Sequence, residues 1–163
     1  MKRWRNILPA LLLPLLMYAG GTKREVVKAE IAYAKPMEFD YDKDGKQNRI
    51  QMWAKIIIER SAEGYSGYFS RFMKDIDTQK AVFGYADINM LPNKPYGEKL
   101  PVSEVEIHGK TVLFKAGSKY YILIDGGEGY QNDTAIVNDG VRDYMVELYD
   151  GDISITKEKE HGK

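Results

Sequence analysis

The stretch VSEVEIHGKTVLFKAGSKYYILI, residues 102–124, decides the fold class because it holds three apolar runs at close spacing. The runs cover 102–107, 111–114 and 120–124, and they are rich in β-branched and aromatic residues, which favour strands. HGK at 108–110 and AGS at 116–118 separate them, and such glycine-containing segments form the turns that join antiparallel strands. The stretch therefore predicts a β-meander.

The sequence after the meander continues the same pattern. Further strands are expected at 134–137, 143–148 and 153–156, with turns at Asn138-Asp139-Gly140 and Asp150-Gly151. Short strands at this spacing are typical of β-sandwiches and β-barrels. We therefore expect a mainly β protein, folded as a single antiparallel β-sandwich-like domain with at most one short helix.

Two segments upstream also have strand character. Residues 47–59 include three consecutive isoleucines at 56–58, as expected for a strand that is covered on both faces near the centre of a sheet. Residues 22–35 alternate apolar and polar side chains as a strand does, although Thr22 and Glu25 have the spacing of a helix-capping box. We expect a strand there as well.

The segment 65–76 permits two interpretations. Its aromatic and apolar residues fall at helical spacing, with Ser66 available as a cap, and this predicts a helix near 66–79 and an α+β fold. Its glycines and its aromatic content instead favour one arm of a hairpin that returns through 81–85.

The first 21 residues have the order of a secretory signal peptide. Three basic residues precede an apolar run over 7–18, and small residues at 19–21 form a cleavage zone. The run is shorter than the roughly 20 residues of a membrane-spanning helix. We therefore expect cleavage after Gly21, a β domain over 22–156, a charged flexible tail over 157–163 and no transmembrane span after processing.

Composition excludes several classes of function. The chain has no cysteine, which rules out thiol nucleophiles, cysteine-based zinc sites and disulfides. Its 24 basic and 24 acidic residues become a mildly acidic balance once residues 1–21, with three of the basic residues, are removed. Because phosphate binding depends on lysine and arginine, we expect no nucleic-acid partner.

Oxygen-bearing side chains alternate in the segment DYDKDGKQN, residues 40–48. Aspartates occupy positions 1, 3 and 5 of this loop, glycine occupies position 6 and an asparagine occupies position 9. A hard cation such as Ca²⁺ binds six to eight oxygens, and a backbone carbonyl commonly serves at position 7. We therefore expect a calcium site formed by Asp40, Asp42, Asp44, the carbonyl of Lys46, and Asn48.

This segment resembles the DxDxDG calcium loops of EF-hands, dockerins and FG-GAP or integrin-like β-repeats. The resemblance covers only residues 40–48, so it implies a local site rather than membership of a family. Gln51 at position 12 cannot supply the bidentate carboxylate of an EF-hand, and Pro36 before the loop argues against a flanking helix. The β-hairpin form of the loop fits better, and the plain alternative is that Asp44-Gly45 is only a hairpin turn.

Other candidate sites have weaker patterns. Asp125, Glu128 and Asp133 lie in a glycine-rich loop and could hold a cation, but their spacing matches no established calcium loop, and the alternative is a solvated loop. The only histidines are His108, in a predicted turn, and His161, in the tail, so a histidine metal cluster is excluded. We assign no catalytic residue.

The sequence thus favours an exported, non-enzymatic binding or structural module that acts in the periplasm or outside the cell. Its partner would be a protein or a polysaccharide there, and self-association stays open. A carbohydrate-binding module is one alternative, since the chain has 12 tyrosines that could stack on sugars. A secreted hydrolase is another, and it would need two converging carboxylates or a pair centred on His108. A third is an extracellular filament subunit that lends residues 22–35 to a neighbouring sheet.

Overall fold

The structure is a computed structural model that describes residues 23–84 and 97–156 of the 163-residue chain. The predicted signal peptide and charged tail lie outside the described residues, as does the end of the hairpin arm expected at 81–85. The strands are β1 (Arg24–Ala32), β2 (Met37–Phe39), β3 (Asn48–Ser61), β4 (Gly64–Asp75), β5 (Lys80–Gly84), β6 (Leu100–His108), β7 (Thr111–Ala116), β8 (Lys119–Ile124), β9 (Thr134–Asn138), β10 (Asp143–Val146) and β11 (Asp150–Ile155).

These strands form one antiparallel sheet in the order β10-β9-β8-β7-β6-β4-β3-β1-β11, with β2 beside β3 and β5 beside β4. A short ladder, Tyr68 opposite Pro101 and Phe69 opposite Leu100, joins the half that contains β4 to the half that begins with β6. The two halves pack face to face, since the rings of Phe69 and Tyr121 lie 4.7 Å apart across the core. The expected mainly β, antiparallel fold is confirmed, and one continuous sheet supplies both layers.

The meander predicted from residues 102–124 is present as β6, β7 and β8. Alternate residues of β7, namely Val112, Phe114 and Ala116, are buried in the main core, as the period of a strand requires. Burial of a side chain such as Phe114 stabilises the fold by about 1.5–3 kcal/mol relative to exposure. The meander therefore supplies one wall of the core.

Strand β3 is covered on both faces, as its isoleucine run predicts. It pairs with β1 on one side and with β4 on the other, and all three isoleucines at 56–58 are buried. The opposite face of the same strand carries Trp53, which forms a smaller cluster with Ala32 and Phe72. The strand is thus interior to its half of the sheet.

The alternative of a helix near 66–79 is wrong. Strand β4 pairs with β3 along its full length, from Gly64 opposite Ser61 to Asp75 opposite Ile50. The ladder satisfies the backbone of this segment, and the alternation places Phe69 in the main core and Phe72 in the smaller cluster. The alternative α+β fold, which depended on this helix, is therefore also wrong. The one helical segment in the described ranges is a single 3₁₀ turn, Tyr130–Asn132, and no helix there has the length and apolar character needed to cross a membrane.

The turn predicted at Asp150-Gly151 is also wrong, because these residues begin β11. Gly151 lies opposite Ile31 of β1, and a Cβ added there would lie only 2.1 Å from the carbonyl oxygen of Glu30. The glycine is therefore required by the close approach of the neighbouring backbone and not by a chain reversal. The preceding strand, β10, ends at Val146 instead of at residue 148.

Candidate metal site

The loop over residues 40–47 connects two strands that pair with each other. Met37 of β2 lies opposite Ile50 of β3, and Phe39 lies opposite Asn48. The segment is therefore the loop of a β-hairpin, and the long strand β3 anchors its second end in the sheet. Both interpretations of Asp44-Gly45 are compatible with this placement, since a hairpin loop can also hold an ion.

Three carboxylates converge in this loop. Asp40, Asp42 and Asp44 each offer one oxygen, and these oxygens lie within 4.8 Å of one another. Oxygens on opposite sides of one bound Ca²⁺ are about 5 Å apart, because each Ca–O distance is about 2.4 Å. The three aspartates could therefore contact the same ion without a large movement of the loop.

Backbone N–H groups hold the carboxylates in this arrangement. Asp40 accepts a hydrogen bond from Asp44 N at 3.1 Å on Oδ1 and from Gly45 N at 3.0 Å on Oδ2. The Oδ1 of Asp44 accepts from Lys46 N at 2.8 Å. Gly45 has φ +86°, a left-handed conformation that glycine adopts without a Cβ clash. The bent shape of the loop is thus built into its sequence.

The positive charges beside the loop compensate the three carboxylates only in part. Lys46 Nζ lies 3.7 Å from Asp44 Oδ2, but this lysine side chain is 83% exposed, so solvent screens the pair. Arg49 directs Nη1 to Asp77 at 3.1 Å, which places its charge on a carboxylate outside the loop. The cluster therefore retains net negative charge.

Tyr41 lies inside the loop, and the negative charge of the nearby carboxylates affects its pKa. Burial raises the pKa of the Tyr41 phenol, and the negative charges of Asp75, Asp42 and Asp44 raise it further. A bound divalent cation would oppose the contribution of the loop carboxylates, so the Tyr41 pKa is a local reporter of metal binding.

The two remaining predicted ligands are Lys46, two residues before β3, and Asn48. The predicted ligand atom of Lys46 is its backbone carbonyl oxygen, and its N–H donates to Asp44 Oδ1. Asn48 is the first residue of the strand, and its Oδ1 is excluded from solvent and accepts no hydrogen bond from any described residue. A solvent-excluded acceptor without a donor is costly, and a cation or a bound water would satisfy it.

The second acidic group, at 125–133, forms no three-acid metal cluster, and it is a solvated loop only in its exposed middle, residues 126–129. Asp125 and Asp133 are both buried, at 7% exposure, whereas Glu128 is exposed. Asp133 accepts hydrogen bonds from Gly126 N at 2.9 Å and from Ile153 N at 2.8 Å. In the part of the chain that the structure describes, only the loop at 40–48 brings three acids within metal-binding distance.

Asp125 and Asp133 join the two ends of the sheet. The N–H of Ile155 donates to Asp125 Oδ2 at 2.9 Å, and Thr156 N donates to the opposite neighbour, Val26 O of β1. Alternation along β11 therefore places the N–H groups of Ile153 and Ile155 on the edge that faces away from β1. Asp125 and Asp133 lie at the two ends of the segment that connects β8 to β9. Their carboxylates accept the hydrogen bonds of these two N–H groups, which no neighbouring strand accepts.

The environment of Asp125 favours its charged form. Burial by itself raises the pKa of this carboxyl, but the hydrogen bond from the Lys110 ammonium and those from the N–H groups of Ile155 and Gly127 lower it by more. The resulting pKa lies below the usual aspartate value. A carboxylate this fully bonded to protein donors is a structural group and not a poised acid.

Residues that the alternative functions would use lie outside the loop at 40–48. His108 is exposed, and its Nε2 lies 3.5 Å from Glu106 Oε2 in the β6–β7 hairpin. Trp53 is buried and donates its indole N–H to Gln51 Oε1 at 3.2 Å, so it is not available to stack on a sugar. Arg71 was not predicted as a functional residue. It lies two positions after Phe69 on the same face of β4, and its exposed side chain lines a cavity between the two sheet halves. A charge in phase with a core residue of a strand is the signal that could have revealed it.

Comparison with protein-family models, with curated proteins and with solved structures finds no match to this chain. A function can therefore be inferred only from the local chemistry of the chain itself. The DxDxDG-like segment stays a local resemblance.

Proposed function

We propose that the protein is an exported, non-enzymatic binding or structural module whose loop at 40–48 is stabilised by one bound Ca²⁺. The observation that carries the proposal is the convergence of Asp40, Asp42 and Asp44 in a hairpin loop whose backbone already holds the bent form. The proposed ligands are these three carboxylates, the carbonyl of Lys46 and the Asn48 side chain, with water in the remaining positions.

Charge supports the same conclusion. Two unit charges 4 Å apart repel by about 1 kcal/mol in bulk water, and by more near a protein surface. Three such carboxylates with one exposed lysine beside them gain more from a divalent cation than from monovalent counter-ions. The solvent-excluded Oδ1 of Asn48 adds an acceptor that lacks a protein donor.

The proposed location outside the cytoplasm depends on the signal-like order of residues 1–21. Calcium loops with micromolar to millimolar affinity are occupied in extracellular settings, where the ion is abundant. The proposed role for the ion is structural. It would tie the β2–β3 hairpin to the sheet and leave the long strand β3 unchanged.

The test is thermal denaturation of residues 22–163 with calcium and with chelator. At a hundredfold excess of calcium over its Kd, we expect stabilisation of about 2.7 kcal/mol. The double variant Asp42→Ala with Asp44→Ala should lose most of this gain. The matched control, Glu63→Ala with Asp152→Ala, removes two exposed acids elsewhere and should keep it. Equal melting curves for the unaltered chain in calcium and in chelator would contradict the proposal.

A further inference from the structure

A cleft lies between the two halves of the sheet, away from the calcium loop. Its walls come from β1, β3 and β4 on one side and from β8, β9 and β10 on the other, and its volume is about 180 Å³. None of its lining residues belongs to the loop at 40–48. The cleft is open to solvent, and its lining includes the exposed Tyr144 of the terminal strand β10.

The floor of the cleft is apolar and rigid. Ile56, Leu123 and Val137 are buried core residues that also face the cavity. The ring of Tyr121 lies 4.7 Å from that of Phe69 and is held in place by further stacking in the core. Close-packed walls of this kind keep their shape when a ligand binds, which limits the cost of ordering the site.

The charged groups of the cleft have a single sign. Arg71 of β4 and Lys119 of β8 line it, and the cavity-lining residues that the structure describes include no aspartate or glutamate. Lys119 is half-buried, and its ammonium makes no hydrogen bond or ion pair with any described residue. Glu98 lines a smaller adjoining hollow, which also includes Arg71. An apolar cavity with a cation of this kind at its wall selects for a negative ligand.

Tyr121 and Tyr144 line the same cleft as Arg71. Burial raises the pKa of the Tyr121 phenol, while the positive charge of Arg71 lowers it and the neighbouring Tyr144 raises it. Both phenols belong to cleft-lining residues, and a phenol hydroxyl can donate a hydrogen bond to a carboxylate.

We propose that this cleft binds a small organic carboxylate whose apolar body has about six to eight carbons. The body lies on the floor formed by the two sheet halves, and the carboxylate lies between Arg71 and Lys119. The size follows from the volume, since a protein cavity of about 150 Å³ accommodates benzene. A nucleotide is too large for the cleft, and an organic cation would meet two positive charges.

Calorimetric titration with three probes of the same chain length tests the ligand class. Octanoate should bind with a sub-millimolar Kd, 1-octanol should bind at least tenfold more weakly, and octylammonium should not bind. Equal affinity for octanoate and octanol would overturn the proposal, because the two cations would then play no part. Tighter binding of octylammonium than of octanoate would also overturn it. Absence of octanoate binding up to about 10 mM would do the same, because a Kd above that concentration is too weak for a ligand of this size.

Variants of the chain test the position of the ligand. Lys119→Gln should weaken octanoate binding about tenfold and change octanol binding less than twofold, and Arg71→Gln should act in the same direction. Lys80→Gln is the matched control, since this lysine is exposed on β5 and does not line the cleft. If Lys80→Gln and Lys119→Gln weaken octanoate binding equally, the ligand is attracted by net charge and not by the cleft.

A filled cleft provides the second check. Ala135 of β9 is buried and lines the cavity, so Ala135→Leu should abolish binding of both octanoate and octanol. A melting transition within a few degrees of the original would show that the variant folds. Retained octanoate binding in such a folded variant would place the ligand elsewhere. Repeating the titration with chelator should leave the Kd unchanged, which separates this site from the proposed calcium loop.

Discussion

The chain has two acidic regions that look alike in sequence and differ in structure. At 40–48 three aspartates are partly or fully exposed and accept hydrogen bonds only from N–H groups of their own loop. At 125–133 two aspartates are buried and accept from β11, more than 15 residues away. Aspartate side chains thus have two different roles in this chain. At 125–133 hydrogen bonds from distant N–H groups make them part of the fold, whereas at 40–48 the carboxylates lack such donors and can bind an ion.

The largest effect should come from removing a carboxylate in the buried region. Asp133→Ala leaves the buried N–H of Ile153 and the part-buried N–H of Gly126 without an acceptor, and an unsatisfied buried donor costs about 1–3 kcal/mol. We expect the free energy of unfolding, from urea titration, to fall by about 3 kcal/mol. Asp152→Ala, an exposed neighbour on β11, should change it by no more than about 0.5 kcal/mol. Similar small values for both variants would contradict the structural role of Asp133.

The glycines of the two regions should respond differently to replacement by alanine. A Cβ on Gly126 would lie 1.9 Å from the carbonyl oxygen of Asn132, whereas one on Gly45 would meet open space. Gly126→Ala must displace backbone and should cost about 2–3 kcal/mol. Gly45→Ala meets no steric clash, but it places a Cβ on a residue with positive φ, which should lower the free energy of unfolding by about 1 kcal/mol. Urea denaturation of the two variants measures the difference, and the reverse order would show that the second loop is the less constrained one.

Acid should also separate the two regions. Because the folded-state pKa of Asp125 is lowered, this group contributes stability that is fully present above the ordinary aspartate value of 3.8 and is lost as the pH falls through the lower folded value. Asp125→Asn should therefore be less stable than the parent chain near neutral pH, and the difference should shrink below about pH 4. Urea midpoints between pH 7 and pH 3 measure this convergence. A constant difference across the range would mean that the Asp125 charge does not contribute.

The smallest effect concerns Lys46, the lysine within the loop at 40–48 that lies next to Asp44. Lys46→Gln removes an ammonium 3.7 Å from Asp44 Oδ2 and should tighten calcium binding about two- to threefold, since an exposed pair of this kind is weak. The sign of the change in calcium affinity tests this prediction better than its size does. Weaker calcium binding in Lys46→Gln would mean that the lysine side chain supports the site instead of competing with the ion.

The strands were predictable because their signals are local. Alternating apolar residues and glycine turns define β6 to β8, and the isoleucines at 56–58 indicate a strand with two covered faces. The segment 65–76 was ambiguous because its aromatic residues satisfy both the helical and the strand period, and only the ladder with β3 decides between them.

The roles of Asp125 and Asp133 could not be predicted, because they depend on where β11 lies. Aspartates are seldom buried, so a glycine- and acid-rich segment reads as a solvated loop. The buried positions follow from pairing of β11 with β1, two strands at opposite ends of the described chain. The cleft cations were missed for the same reason, since Arg71 and Lys119 come together only when the two sheet halves pack.

Calcium titration calorimetry of the chain without residues 1–21 tests the central claim most directly. We expect one Ca²⁺ per chain, with binding lost in Asp42→Ala with Asp44→Ala and retained in Glu128→Gln, which alters the only exposed acid of the second region. Absence of any heat of binding up to millimolar calcium, or equal binding by the loop variant, would contradict the account.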